Sequence, residues 1–458
     1  MYETANRRQK IKLFIIIMLP ILITQVSMNL MNFFDTVMSG RAGSVDLAGV
    51  AIGSSLWIPV LTAVNGIVLA ITPIIAQLIG AKEKKDIPQV IQQGIYLSIG
   101  LSCVILIAGF FALDPILHLM SLEPDVQHVA KYYLVFLATG IMPLFIFHTV
   151  RSFMDGLGQT RASMIIILIS LPINALLNYI FIFGKLGIPE FGGIGAGIAT
   201  SITYWIVSII SLYMIHRVAP FKSYQIFRIR FKPQISYWLS QLKIGLPIGL
   251  AMFFETSIFS AVTIMMSVYD TNTIAAHQAA MNFAGLLYML PLSVGMALTI
   301  AVGFEIGARR FRDARSYTYL GITGGILIAV FTGIILFVFD GAVARLYHTN
   351  PEVITLTKQF ILFAIFYQLA DAIGAPIQGA LRGYKDVNVT LILALVSYWL
   401  IGLPVGYLFA NYTNFAAFGY WIGIIAGLSA GAIALLFRLL YIQRKVKQAY
   451  QAKRSLIM

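Results

Sequence analysis

Charge is scarce in this chain. Of its 458 residues 11% are Asp, Glu, Lys or Arg, 59% are hydrophobic, and the mean hydropathy is +0.85. Soluble domains carry roughly a quarter of their residues as charges, so a soluble globular fold is excluded. Cysteine is scarcer still. Cys103 stands alone, which rules out an intramolecular disulfide framework and a multi-cysteine metal site. It falls inside an apolar run and is expected to be a buried thiol in a helix core. The patterns H-E-x-x-H and G-x-S-x-G and the phosphate-binding loop are also missing. No signature of a zinc peptidase, a serine hydrolase or an ATP-driven machine is therefore present.

What the chain has is long apolar runs, each sufficient for a hydrocarbon core of roughly 30 Å, which takes about 20 helical residues. Twelve are predicted, at about 12–35, 48–79, 91–113, 127–150, 162–184, 192–216, 238–267, 275–306, 317–339, 355–380, 388–410 and 416–437. The first follows Arg7, Arg8, Lys10 and Lys12. It is too long for a signal peptide and lacks a small-residue cleavage site, so it reads as an uncleaved first helix.

The net charge of +14 does not point to nucleic acid, because it is placed in alternate loops. Lys82, Lys84 and Lys85, then Arg151 and Arg161, then Arg217 to Lys232, Arg309 to Arg315, Arg382 and Lys385, and the tail from Arg438 carry it. The intervening loops hold little beyond Arg41, Lys185 and Arg345, and several are acidic. The bias predicts that both termini and the basic loops are cytoplasmic. An even number of spans agrees.

Sliding the sequence along itself until Leu19-Pro20 falls on Leu246-Pro247 brings further pairs into register at the same offset. The loop "IGAKEKKD" meets "IGARRFRD", Pro124 meets Pro351, Lys131 meets Lys358, Gly156 meets Gly383 and Ser170 meets Ser397. The expected architecture is an all-α integral membrane protein, with twelve transmembrane helices in two six-helix bundles related by a pseudo-two-fold axis along the membrane normal. The expected division is an N-terminal bundle at 1–216, a cytoplasmic linker at 217–237, a C-terminal bundle at 238–437 and a basic tail at 438–458.

Three acids break the repeat. Glu255 falls on Met28, Asp371 on Leu144 and Asp35 on Val262. A charge at the middle of a bilayer costs roughly 2.5–3.5 kcal/mol on insertion scales, and such residues usually mark ion or substrate paths. Tyr367 lies one helical turn before Asp371, on the same face. Asn174 and Asn178 in "PINALLNYIF" share a face, and Thr200 and Ser201 follow in the next span. The asparagines serve equally well as interhelical hydrogen bonds. Other charges read as bland: Glu305 with Arg309 as a surface pair, Lys131 and Lys358 as snorkelling lysines, and His277 with Gln278 as interhelical bonds.

The segment "FFDTVMSGRAGSVDLAGVAIGSSLWIPV", the "AAHQ" at 275–278, and the loops "DGLGQTR" and "RGYKDV" at matching places resemble the multidrug and toxic compound extrusion family, in its NorM-like branch. The likeness runs over nearly the whole chain. It implies export of cationic, often aromatic drugs in exchange for sodium ions or protons. It also implies a cation site of Glu255, Asp371 and Tyr367 in the C-terminal bundle, with sodium possible at the two acids. Asp35, Asn174, Asn178 and Thr200 would form the polar pocket of the N-terminal bundle, Asp35 being shared with proton-coupled relatives.

The expected function is thus a secondary active antiporter of the cytoplasmic membrane, not an enzyme. It would need no cofactor beyond its coupling ion, bind cationic small molecules and lipid but no nucleic acid, and act as a monomer. Two alternatives stand beside it: a lipid-linked oligosaccharide flippase on the same scaffold, and an intramembrane enzyme using Asp371 and Glu255 as an acid and base pair.

Overall fold

The computed structural model describes residues 4, 6–120, 122–347 and 349–455. Among the described residues the regular structure is all helical, in the order α1 (Arg7–Ala42), α2 (Ser44–Leu69), α3 (Ile71–Gly80), α4 (Ile87–Leu119), α5 (Pro124–Ala138), α6 (Ile141–Gly156), α7 (Thr160–Phe183), α8 (Gly193–Arg217), α9 (Ile235–Met265), α10 (Thr271–Gly307), α11 (Phe311–Tyr347), α12 (Pro351–Gly383), α13 (Asn388–Leu395), α14 (Leu403–Tyr412) and α15 (Phe418–Ser455). Eleven stretches are long and apolar enough to cross a membrane, and the bent pair α5 and α6 makes a twelfth. In lipid an unpaired backbone group has no water to fall back on, which is why helices carry the whole chain.

Two breaks have visible causes. The α5–α6 bend of 52° falls at 139–140, four residues before Pro143, whose ring would clash with the Thr139 carbonyl and which offers no N–H to it. The span from Asn388 to Tyr412 holds a π-helical segment, Val396–Gly402, just before Pro404. Tyr398 is buried within it.

The internal duplication survives in individual bonds. Thr72 Oγ1 donates to the Ser152 carbonyl at 3.2 Å, and Thr299, its counterpart in the second half, donates to the Gly379 carbonyl at 2.9 Å. Lys82 and Arg309 both adopt positive φ, as do Gly158 and Lys385. Each pair closes equivalent helix ends.

The chain forms two compact units. One comprises Met1–Leu22, Ile79–Ala81 and Leu250–Met458; the other comprises Ile23–Leu78 and Lys82–Gly249. The divisions fall inside α1 and inside α9, two residues after Pro20 and two after Pro247. Those two prolines are themselves duplicated counterparts, so the chain divides at equivalent places. The unit rich in C-terminal sequence has one core around Phe360, Tyr398 and Trp421 and another around Ile17, Leu298 and Tyr317.

Three expectations need correction. Cys103 is exposed on α4 beside the exposed Val104 and Ile107, not buried in a helix core. Glu305 is 1% exposed and pairs with Arg310 at 2.6 Å rather than with Arg309; Arg309 takes the left-handed conformation that ends α10, and this turns the next residue back toward the acid. Lys131 and Lys358 do not merely snorkel. They meet Asp114 at 2.7 Å and Asp340 at 3.6 Å.

Candidate functional site

The first acid sits in a closed polar ring. Asp35, on the last part of α1, is buried together with Asn174 and Asn178 of α7 and Thr200 of α8. Asn178 Nδ2 donates to Asp35 Oδ1 at 2.5 Å and to Asn174 Oδ1 at 3.2 Å. Thr200 Oγ1 donates to Asp35 Oδ2 at 3.0 Å, and Asn174 Nδ2 donates to Thr200 Oγ1 at 3.3 Å. The i, i+4 spacing of the asparagines places them one above the other, so one residue holds the acid and the other holds the holder. All four expected residues meet. Ser201 is not in the ring and bonds Thr139 instead, at 2.7 Å. Asn178 Oδ1 is left without a hydrogen-bond partner among the described residues.

The second pair of acids is differently furnished. Glu255 lies on α9 and Asp371 on α12, both buried, and each lies within electrostatic reach of the other. Glu255 Oε1 accepts from the Tyr398 hydroxyl at 3.2 Å, and the side chains of Gln378 and Arg382 also act on it. Asp371 Oδ2 has no hydrogen-bond partner among the described residues. A buried acceptor of this kind costs free energy unless a proton, cation or water meets it. Tyr367 is buried one turn from Asp371, its ring edge-on to Phe259 at 5.8 Å. Glu255, Tyr288 and Tyr367 line a cavity of about 150 Å³ whose other walls include Phe259, Met281 and Trp421.

Three contributors escaped the sequence reading. Arg382 was read as part of a basic loop, yet it is only 6% exposed in the last turn of α12 and bonds Gln378 at 3.3 Å. The signal available was its position on the same span as the buried Asp371, with no other charge between them. Tyr398 lies buried in a π-helical segment and donates to Glu255, and no periodicity argument reveals such a segment. Trp421 Nε1 donates to His277 Nδ1 at 3.1 Å, fixing α15 to α10 beside the cavity and giving His277 the interhelical role expected of it.

No group of three or more His, Cys, Asp or Glu able to hold a metal occurs among the described residues. A cation at Glu255 and Asp371 would therefore complete its shell with tyrosine hydroxyls, the Gln378 amide oxygen or water.

Comparison with known proteins identifies the family. The MatE family model matches residues 20–180 and 247–408, one match for each duplicated half. A "Probable multidrug resistance protein NorM" of Oceanobacillus iheyensis is 76% identical over 445 residues, 97% of this chain and all of its own length. Another of the same description, from Bacillus subtilis, is 55% identical over 448 residues, 98% of this chain and 99% of its own. Among solved structures, the outward-facing conformation of a multidrug resistance MATE family transporter of the MOP superfamily superposes with a TM-score of 0.88. It is 20% identical over 98% of this chain and 100% of that one, a likeness of fold. Two matched halves and near-complete coverage of relatives more than half identical to it leave one assignment: this chain belongs to the MatE family of membrane transporters, the multidrug and toxic compound extrusion family.

Proposed function

We propose that the chain is a secondary active multidrug efflux antiporter, exporting organic cations of the fluoroquinolone or dye type in exchange for sodium ions or protons. The observation that carries this reading is the contrast between two buried acid clusters at positions the duplication does not repeat: at Asp35 both carboxylate oxygens accept hydrogen bonds, whereas Asp371 keeps an oxygen without a partner among the described residues. The description of its relatives as multidrug resistance proteins supports it.

Glu255, Asp371 and Tyr367 take the coupling ion. Hard cations bind through several oxygens, and the two carboxylates with the hydroxyls of Tyr288, Tyr367 and Tyr398 offer that set. A volume of about 150 Å³ suits an ion with a few waters, whereas drug pockets run to roughly 300–1,000 Å³. Asp35, Asn174, Asn178 and Thr200 provide the polar pocket for the exported cation, whose charge Asp35 answers. An arriving sodium ion or proton relieves the repulsion between Glu255 and Asp371. It drives exchange only by favouring one conformation of the halves over the other, and each charge entering down 100 mV supplies about 2.3 kcal/mol. The concentration of basic residues in one set of loops supports an orientation with both termini in the cytoplasm, in a protein of the cytoplasmic membrane. It works as a monomer, without a cofactor and without nucleic acid.

Export of ethidium or a fluoroquinolone from proteoliposomes, under a sodium gradient or a proton gradient imposed separately, tests this. Export under at least one gradient is expected, and its absence under both would overturn the reading. Sodium-driven export lost in Glu255→Gln and Asp371→Asn places coupling at the open cluster. Proton-driven export lost only in Asp35→Asn moves it to the ring.

A further inference from the structure

The turn after α10 opens onto a second cavity, of about 660 Å³, in the unit that contains α10 to α15. Its walls bring together Arg309 of the turn and Arg312 and Arg315 from the start of α11 with Arg444 and Lys447 from the far end of α15, beside Tyr384. The acids nearby are engaged. Asp313 pairs with Lys10 at 2.5 Å and Glu305 with Arg310 at 2.6 Å. Arg309, Arg312, Arg444 and Lys447 have no acidic partner among the described residues. The N-terminal end of α11, which favours negative charge, points into the same space.

Duplication supplies the control. The counterpart turn in the other unit carries Lys82, Lys84 and Lys85, and the counterpart of Arg444 is Arg217, the last residue of α8. There the chain leaves the helix and folds back over α4. Gln92 Nε2 donates to the carbonyls of Ile226 and Ile229 at 2.5 and 2.6 Å. Gln93 Nε2 donates to the Lys232 carbonyl at 2.8 Å and its Oε1 accepts from the Gln234 N–H at 2.9 Å. At the matching end of α11 stand Tyr319 and Leu320 in place of the two glutamines, and α15 continues as helix to Ser455. Among the described residues the linker covers one place, leaving a smaller cavity of about 240 Å³ beside Gln92 and Arg230, and the other place keeps the larger one of about 660 Å³.

We propose that this cavity binds the headgroup of an anionic phospholipid, taken from the leaflet on the side of the chain termini. Lipid rather than a free anion is favoured by what continues from the cavity along both helices. Phe437 and Tyr441, 69% and 52% exposed, precede Arg444 on one face of α15, and the exposed Tyr319 and Leu327 follow Arg315 along α11. A phosphodiester among the arginines would leave its acyl chains against these apolar stripes. Basic pockets between membrane helices have the chemistry to hold such headgroups, and arginine forks suit phosphate oxygens.

Native mass spectrometry of the full chain in neutral detergent tests this, with phosphatidylglycerol, cardiolipin, phosphatidylcholine or inorganic phosphate added. Retained adducts of the anionic lipids are expected, with phosphatidylcholine weaker and millimolar phosphate unable to displace them. In Arg312→Gln/Arg444→Gln the affinity should fall roughly tenfold or more. It should be kept in Arg312→Lys/Arg444→Lys to within a few-fold and be unchanged in the counterpart pair Lys85→Gln/Arg217→Gln. Equal loss in both glutamine pairs would reduce the site to a general basic surface, and displacement by phosphate would make it a simple anion site; either overturns the proposal. Binding of phosphatidylcholine as tight as that of phosphatidylglycerol would also overturn it. Lipid competition on the native chain decides the matter even where a variant does not fold.

Discussion

The two units solve the same problem, a guanidinium buried in helix packing, in opposite ways. In one, Arg151 meets Asp155 on its own helix at 3.5 Å, and Asp155 also accepts from Ser163 at 2.6 Å. The charge is answered locally, with Met28 Sδ against the guanidinium at 3.3 Å. In the other unit the duplicated positions hold Gln378 and Arg382. The glutamine cannot answer the charge, and the acid within reach of Arg382 is Glu255 on α9, at the place of Met28. Moving the acid from the arginine's own helix to a neighbouring one converts a closed structural pair into an open pair beside a cavity. Where the duplication breaks, charge passes from scaffold to site.

The largest effect should separate these two kinds of acid. Asp371→Asn and Glu255→Gln are expected to lower ion-driven export by two orders of magnitude or more in proteoliposomes, with the folded protein retained. Asp155→Asn should leave the ion dependence of the remaining export unchanged and lower thermal stability. If Asp155→Asn altered ion dependence as Asp371→Asn does, the contrast would collapse.

Removing the arginines comes next. Losing one member of a buried ion pair costs about 3–5 kcal/mol, so Arg151→Gln should destabilise by about 3 kcal/mol in detergent unfolding, and Arg382→Gln, whose guanidinium is buried without an ion-pair contact among the described residues, by less. The rescue differs. Asp155→Asn restores most of the loss from Arg151→Gln, and Glu255→Gln restores most of that from Arg382→Gln but without recovering transport.

A smaller effect probes the duplicated threonine bonds. A Cβ on Gly379 would stand 2.0 Å from the Gly295 carbonyl oxygen, so Gly379→Ala must push two helix backbones apart, at about 2–3 kcal/mol. The matching residue of the other unit is Ser152, already accommodating a Cβ. Ser152→Ala is expected to cost under about 1 kcal/mol, read by the same unfolding measurement.

The smallest concerns helix starts. Asp270 caps α10, its side chain accepting from the Thr273 N–H at 3.0 Å and the Thr273 hydroxyl at 2.7 Å, while α2 begins at the counterpart Gly43 with no side-chain cap. The bonds from Thr273 hold the Asp270 carboxyl below the ordinary value. Its stabilising contribution is therefore present above the unfolded value near 3.9 and is lost as pH falls through the lower folded one. Hydrogen exchange should show the first turn of α10 loosening in Asp270→Ala, or in the native chain on acidification through that range, with the first turn of α2 unchanged.

Much of this was legible beforehand, for identifiable reasons. Twelve apolar runs follow from hydropathy alone, because lipid forces every backbone group into helix. The fourth run, predicted at 127–150, proved to be α5 and α6 bent at 139–140, and Pro143 was in view as the cause. The ring of Asp35, Asn174, Asn178 and Thr200 was expected from the family resemblance; spacing alone put the two asparagines on one face, and the broken repeat singled out the acid. Arg382 was hidden by its neighbours: a basic residue near a helix end reads as loop charge, and nothing in the pattern says that it points back into the packing. Cys103 failed for the opposite reason. In a membrane protein an apolar run has two apolar surroundings, lipid and core, and hydropathy does not tell them apart.

The sequence by itself determined that the chain is helical, spans a membrane, is duplicated at the one offset that sets Leu19 on Leu246, and holds three acids the duplication does not share. Local chemistry was enough, since hydropathy, periodicity and self-similarity need no partner. Only the tertiary structure decided that both oxygens of Asp35 accept hydrogen bonds while Asp371 keeps an open oxygen, that Tyr398 donates to Glu255, and that linker folds over α4 beside one duplicated turn while the other borders a larger cavity. Those outcomes depend on which helices meet and at what angle. Packing sets that between residues far apart in the chain.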